Sequence, residues 1–145
     1  MPYHFQKAIS KKDFKEITDL YIKFFVGGRE YVPEFTGVWW ILKDGKKSIG
    51  FCAIDRSNNY LNTAYLYRAG IDFSYRGKGL HKRMIRLRER WAKKNGIKWV
   101  VTDTYSDNFN SSNSLISLGY RLWSPPVNCQ WAQYKNALYW KKCLT

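Results

Sequence analysis

The feature that most constrains this chain is a strand that leads through two closely spaced glycines into an amphipathic helix. Residues 64 to 71 are nearly continuous in apolar and aromatic character, which is typical of a central strand covered on both faces. A helical periodicity then predicts a helix from 80 to about 94. Its apolar face is formed by Leu80, Met84, Leu87 and Trp91. A further strand at 99 to 104 makes this segment a right-handed crossover in an α/β sheet.

The other segments supply further strands and two shorter helical regions. Ser10 and Asp13 have the spacing of a capping box and predict a helix to about Phe25, after a short strand at 5 to 8. Residues 38 to 42 and 48 to 55 read as a hairpin. The remaining predicted elements are a helix at 110 to 118 and strands at 120 to 123 and 137 to 142. Residues 29 to 36, with Glu30 and Glu34, are a candidate substrate loop.

Length and composition favour one soluble domain spanning residues 1 to 145. The 145 residues include 45% hydrophobic ones, but no apolar run is long enough for a membrane helix. The first residues lack the apolar core of a secretory signal, so we expect a cytoplasmic protein. The three cysteines and two histidines show no metal-ligand spacing, and no metal site is expected. A net charge of +14 favours anionic ligands or partners.

The glycine pair indicates an anion site. Gly77 and Gly79, between a strand and a helix, allow backbone N–H groups to approach a phosphate, and the start of the helix adds a favourable field. The spacing is not that of a nucleoside triphosphatase loop. It also fails the dinucleotide pattern because Lys82 stands at the third glycine position. The pattern alone leaves a tight turn without a ligand as an equal alternative.

Two blocks of sequence resemble the GNAT acyltransferase family. Residues 68 to 80, RAGIDFSYRGKGL, resemble the central motif of that family, and residues 107 to 120, DNFNSSNSLISLGY, resemble its later helix and glycine-aromatic exit. The order of elements agrees over nearly the whole chain. The resemblance implies a central mixed, mostly antiparallel sheet with flanking helices and a splayed central strand pair.

The resemblance also implies acetyl-CoA as acyl donor and direct transfer to an amine in a ternary complex. The family pattern Gln/Arg-x-x-Gly-x-Gly/Ala is met at both glycines, although Ser74 occupies its first place. The pyrophosphate would be held by amides from about Arg76 to His81, and the pantetheine and thioester by amides near Ile71 and Phe73. The implied cofactor-binding residues are Ile71, Phe73, Arg76, Gly77, Lys78, Gly79, Leu80, His81, Asn108 and Ser111.

The catalytic acid and base depart from the family pattern. The tyrosine that often protonates the thiolate in this family falls at Leu115, so Tyr105, a nearby serine or water would take that role. The strand position that carries a carboxylate in some relatives is Tyr65. The candidate bases are then Glu34, Asp103 and Asp107.

The predicted central helix is strongly basic, which keeps other functions open. Residues 76 to 94 hold nine Lys or Arg against Glu89 alone, a balance of +8. Arg83, Arg86, Arg90 and Lys94 fall in one stripe, which suits a nucleic acid or another polyanion. Three hypotheses follow: an acetyltransferase for small-molecule or peptide amines, an acyltransferase acting on nucleic acid, and a binding module without catalysis.

Overall fold

The computed structural model describes residues 2–25, 34–57, 60–125 and 136–144. Seven strands form one sheet in the order β1-β2-β3-β4-β5-β7-β6. The strands are β1 (Tyr3–Lys7), β2 (Val38–Asp44), β3 (Lys47–Arg56), β4 (Thr63–Ile71), β5 (Trp99–Tyr105), β6 (Arg121–Leu122) and β7 (Ala137–Cys143). The α-helices are α1 (Lys11–Phe24), α2 (Leu80–Lys94) and α3 (Phe109–Ser117). None of the helices within the described ranges is long and apolar enough to cross a membrane.

Pairing in the sheet is mostly antiparallel. β1 with β2, β2 with β3, β5 with β7 and β6 with β7 are antiparallel, whereas β4 and β5 are parallel. The parallel register runs only from Thr63 opposite Trp99 to Tyr65 opposite Val101. Since β4 continues to Ile71 and β5 to Tyr105, the two central strands pair at their beginnings alone. The predicted mixed sheet with a splayed central pair is confirmed.

By their contacts the residues fall into two compact units. The first unit comprises residues 1–55 and 67–80, and the second comprises 56–66 and 81–145, so β4 contributes to both. In the first unit α1 starts with the predicted capping box, in which Ser10 Oγ accepts from the Asp13 amide at 3.1 Å. Hydrogen bonds from the amides of Ile9 and Ser10 lower the pKa of Asp13. The core of this unit packs α1 residues such as Ile17 against Trp39 and other sheet residues.

The buried face of α2 differs from the predicted one. Met84, Ile85 and Ala92 are buried, but Leu87 and Trp91 are only partly so. Arg88, which is 2% exposed, takes a place on the buried face and donates from Nε to the Met84 carbonyl at 3.1 Å. An arginine can occupy this position because its aliphatic stem packs like an apolar side chain. The prediction that Leu87 and Trp91 belong to the buried face is therefore wrong.

The end of α2 follows the prediction. Gly96 has a φ of +73°, and the Ile97 amide donates to the Ala92 carbonyl at 2.9 Å. This left-handed residue ends the helix because glycine adopts a positive φ without a steric penalty. The chain then passes directly into β5.

Candidate functional site

The turn after β4 is fixed by Asp72. The Asp72 amide donates to the Ile49 carbonyl at 2.8 Å, and its carboxylate accepts from the Ser74 amide at 3.0 Å and the Ser74 hydroxyl at 2.8 Å. Lys23 Nζ lies 3.1 Å from the same carboxylate. The hydrogen bonds from Ser74, followed by the one from Lys23, lower the pKa of Asp72 to about 2. The carboxylate is therefore ionised at neutral pH and holds the single turn of 3-10 helix at Phe73–Tyr75.

Tyr75 attaches the other end of this turn to the first hairpin. Its hydroxyl donates to Asp44 Oδ2 at 2.7 Å, and its ring meets the Tyr3 ring edge-on at 6.2 Å. Lys47 Nζ lies 5.6 Å from the centre of the Tyr75 ring. The hydrogen bond to the Asp44 carboxylate raises the pKa of Tyr75 to about 12, because ionisation would place two negative charges together.

The two glycines between this turn and α2 have left-handed backbones. Gly77 has a φ of +79° and Gly79 a φ of +76°, and a Cβ added at either would meet no heavy atom within 4 Å. Glycine is required here by the backbone conformation and not by crowding. The open space also leaves the backbone accessible to a ligand.

The amides available at this turn begin one residue later than the sequence indicates. The Arg76 amide donates to the Phe73 carbonyl at 3.2 Å, so it closes the turn instead of facing a ligand. Within the described part of the chain, no acceptor is found for the amides of Gly77, Lys78 and Gly79. The first amides of α2 add to them, since the first turn of any α-helix lacks intrahelical acceptors. We call the amides of residues 77 to 81 the amide cradle.

The charge beside the amide cradle comes from lysine and arginine and not from histidine. Burial, and then the positive charge of Arg88, lower the pKa of His81 to about 4. Its imidazole is therefore neutral at pH 7. Lys78 and Arg76 are exposed, and the Arg76 guanidinium lies 5.2 Å from the centre of the Phe73 ring. An anion at the cradle would meet amides, the helix dipole and mobile cations.

The end of β4 offers a further amide. The Asp72 amide points toward β3, because it donates to the Ile49 carbonyl of that strand. Because successive amides of an extended strand point to opposite edges, the Ile71 amide points away from β3. Ile71 itself is buried at 9% exposure, whereas the Phe73 ring is 79% exposed. The Ile71 amide is thus turned away from β3, and its role toward the cofactor stays a prediction.

In the second unit, the predicted residues Asn108 and Ser111 contact each other. Asn108 caps α3, and its side-chain oxygen accepts from the Ser111 amide at 3.2 Å. Both groups therefore have a structural role at the start of the helix. Leu115 is 3% exposed in the interior, and Tyr105 at the end of β5 is 66% exposed.

One contact joins two residues that the sequence treated separately. The Tyr65 hydroxyl on β4 donates to Asp103 Oδ2 on β5 at 3.0 Å. Asp103 is partly buried and lies opposite Tyr139 of β7. In this pair Asp103 of β5 supplies the carboxylate. In some relatives a carboxylate stands instead at the β4 position that Tyr65 occupies here. Glu34, by contrast, is exposed and belongs to the first unit.

The sequence matches the family model described as acetyltransferase (GNAT) family over residues 8–120. The chain belongs to the GNAT family. Acetyl-CoA is the cosubstrate of this family. The predicted family is thereby confirmed, and the amide cradle of this GNAT protein lies within the matched residues. A search of curated proteins found no match.

Solved structures share the GNAT fold of this chain at low sequence identity. The ribosomal-protein-S18-alanine N-acetyltransferase from Escherichia coli has a TM-score of 0.75 and 12% identity, covering 98% of this chain and 95% of its own. yncA from Salmonella typhimurium, with its cofactor acetyl-CoA, has a TM-score of 0.75 and 16% identity, covering 100% of this chain and 95% of its own. Arabidopsis thaliana NAA60 in complex with acetyl-CoA has a TM-score of 0.74 and 14% identity, covering 97% of this chain and 98% of its own. At such low identity the TM-scores show a common fold and nothing more.

Proposed function

We propose that this GNAT protein is an N-acetyltransferase that transfers the acetyl group of acetyl-CoA directly to an acceptor amine within a ternary complex. Residues 1 to 145 would act as one acetyltransferase domain. The observation that carries the proposal is the amide cradle, in which Gly77 and Gly79 both have positive φ and open space. Cytoplasmic location stays a prediction.

The amide cradle fits the pyrophosphate of acetyl-CoA. Amides without protein acceptors and the start of a fifteen-residue helix supply hydrogen bonds and a favourable field for an anion. A Cβ added at either glycine would meet no heavy atom within 4 Å, so a phosphate could approach the backbone there. The Ile71 amide would bind farther along the cofactor, and Asn108 and Ser111 remain predicted contacts of its pantetheine arm.

Asp103 is our preferred acceptor for the proton of the substrate amine. When bound, acetyl-CoA supplies a thioester that an uncharged amine can attack. For an amine of pKa about 10.4, reaching the neutral form at pH 7 costs roughly 4–5 kcal/mol, so a nearby carboxylate assists. The hydrogen bond from the Tyr65 hydroxyl holds the Asp103 carboxylate in place. Glu34 remains the alternative carboxylate.

Among the tyrosines, the sequence predicts only Tyr105 as an acid that could protonate the departing thiolate. We now expect Tyr105→Phe to change kcat by less than about threefold, because a hydroxyl on a side chain that is 66% exposed competes with solvent as a proton donor. Steady-state kinetics at saturating acetyl-CoA would measure this. A loss on the order of 100-fold with unchanged cofactor affinity would instead identify Tyr105 as the acid.

The direct test of the proposed function is an acceptor screen. Purified protein is incubated with acetyl-CoA and separate pools of small amines, amino-terminal peptides and lysine peptides. We expect release of free CoA thiol together with a mass increase of one acetyl group on an acceptor amine. If the release of CoA thiol equals the hydrolysis blank in every pool and no acceptor is acetylated, N-acetyl transfer is contradicted.

The basic face of α2 supports a second candidate, an anionic macromolecular substrate or partner such as nucleic acid. Arg86, Arg90 and Lys94 are exposed along the helix. Arg88 is buried, so it has to be removed from the nine basic residues that the sequence assigned to this surface. Arg83, the first residue of the predicted stripe, is partly buried. The surface charge is therefore smaller than predicted, and three of the four stripe residues are exposed.

We expect any binding of duplex DNA to weaken linearly in a log–log plot against salt, with a slope of about −0.9 for each phosphate neutralised. Arg86→Ala and Arg90→Ala should each reduce the magnitude of that slope by about one. Acetyl-CoA affinity should stay unchanged in both variants. Fluorescence anisotropy at low salt measures the effect, and an absence of DNA or RNA binding there would remove this candidate.

A further inference from the structure

The second unit contains a cavity that the proposed acetyl transfer does not use. Its volume is about 210 Å³. It is lined by the rings of Tyr60, Trp99 and Trp123 and by Leu61, Thr63 and Lys141, among others. Trp123 and Tyr60 meet edge-on, with ring centroids 6.3 Å apart. The walls are therefore mainly flat and apolar.

The strand register explains why these residues meet. Thr63 of β4 is opposite Trp99 of β5, and Val101 of β5 is opposite Lys141 of β7. Partners in register project their side chains to the same face of a sheet, and so do residues two apart on a strand. The cavity thus lies on one face, at the beginning of β5.

Lys141 brings a positive charge into these aromatic walls. Its Nζ lies 4.4 Å from the centre of the Trp99 ring and 4.7 Å from that of Trp123. Cation–π contacts of this kind stabilise the ammonium by about 0.5–2 kcal/mol but leave its N–H groups as donors. Among the ion pairs found in the described ranges, none involves Lys141.

Trp123 adds a second donor. Its indole Nε1 is buried and has no acceptor among the residues that the structure describes. A buried donor without a partner costs about 1–3 kcal/mol, which a suitable ligand would recover. The Thr63 hydroxyl already donates to the Leu61 carbonyl at 3.1 Å. The cavity therefore joins a cation to flat apolar walls, and one of its lining side chains carries an unsatisfied N–H donor.

We propose that this cavity binds a small aromatic carboxylate. The ring of the ligand packs against Tyr60 and Trp99, and its carboxylate accepts hydrogen bonds from Trp123 Nε1 and Lys141 Nζ. A cavity of about 150 Å³ is enough for a benzene ring, so the volume here suits one ring with a short acidic side chain. Asp103 is not among the residues that line the cavity; it lies two residues, about 7 Å, beyond Val101 along β5.

Phenylacetate is a suitable probe, and its neutral isostere phenylacetamide is the matched ligand control. Calorimetry at pH 7 without acetyl-CoA should show phenylacetate binding at least tenfold more tightly than phenylacetamide and than acetate. Because this comparison uses the unaltered protein, it does not depend on the folding of any variant. Equal affinities for phenylacetate and phenylacetamide, or no binding of phenylacetate at millimolar concentration, would overturn the proposal.

Two variants locate the ligand. Lys141→Met and Trp123→Phe each keep an apolar wall and remove one donor, and each should weaken phenylacetate binding about tenfold, the effect of losing one hydrogen bond to a charged group. Lys98→Met is the matched control, since Lys98 is exposed and precedes Trp99 without lining the cavity. Phenylacetate affinity that is unchanged in folded Lys141→Met and Trp123→Phe would place the ligand elsewhere. Because the readout is binding alone, its failure leaves the acetyltransferase proposal intact.

Discussion

Replacing Gly79 by aspartate is expected to abolish acetyl-CoA binding while the protein stays folded. The new carboxylate would stand in the open space beside the amide cradle, where we place the pyrophosphate. Two unit charges about 5 Å apart repel each other by about 3 kcal/mol at an effective dielectric constant near 20, which corresponds to more than 100-fold in Kd. Isothermal titration calorimetry with acetyl-CoA measures the loss.

Gly96→Asp is the matched control for this substitution. Gly96 also has a positive φ, +73° against +76° for Gly79, and also lies in open space, but at the opposite end of α2. The two variants therefore impose a similar backbone strain, and only one puts a charge at the cradle. We expect Gly96→Asp to retain acetyl-CoA affinity. Near-normal binding by a folded Gly79→Asp protein would disprove our placement of the pyrophosphate.

Replacing Asp103 by asparagine should lower kcat/KM on the order of 100-fold, the usual contribution of a positioned general base. Asparagine keeps the size of the side chain and can still accept the hydrogen bond from Tyr65. It cannot take up a proton. Acetyl-CoA affinity should be unchanged, which separates this variant from those of the cradle.

The pH profile gives a second readout for Asp103. Without a base to accept its proton, the substrate amine reacts only in its uncharged form, which accumulates as the pH rises. The loss of activity in Asp103→Asn should therefore shrink as the pH approaches the pKa of the amine. Asp19→Asn is the matched control because Asp19 is exposed on α1, where it pairs with Lys15. Equal losses in both variants would argue against a specific role for Asp103.

Local signals in the sequence predicted much of the fold. The capping box at Ser10 and Asp13, the extent of α2 and the glycine at its end depend on neighbours within one helical turn, and the structure has all three. The glycine turn between β4 and α2 was predictable for the same reason, since Gly77 and Gly79 act through their own backbone. The structure buries Arg88 on the face of α2 that was predicted to be apolar. The periodicity did not predict this, because it assigns charged residues to the exposed face.

Contacts between distant segments could not be predicted from the sequence. Tyr65 and Asp103 are 38 positions apart and meet only through the parallel register of β4 and β5. The cavity lined by Trp99, Trp123 and Lys141 likewise depends on which strands are neighbours in the sheet. A one-residue change in register would turn these side chains to the other face, and the register of two distant strands depends on both segments and not on either one alone.

The attachment of the turn at Asp72 and Tyr75 has a consequence for ligand affinity. A glycine-containing loop that is disordered without its ligand loses conformational entropy on binding, about 1–2 kcal/mol for each residue that becomes fixed. Here the turn is already held by the bonds of Asp72 to Ser74 and of Tyr75 to Asp44, and α2 begins directly after the loop. Most of that ordering therefore occurs when the chain folds, so the cradle is preorganised for its anion. We therefore expect the Asp44 carboxylate to support cofactor affinity through the Tyr75 hydroxyl, without contacting the cofactor itself.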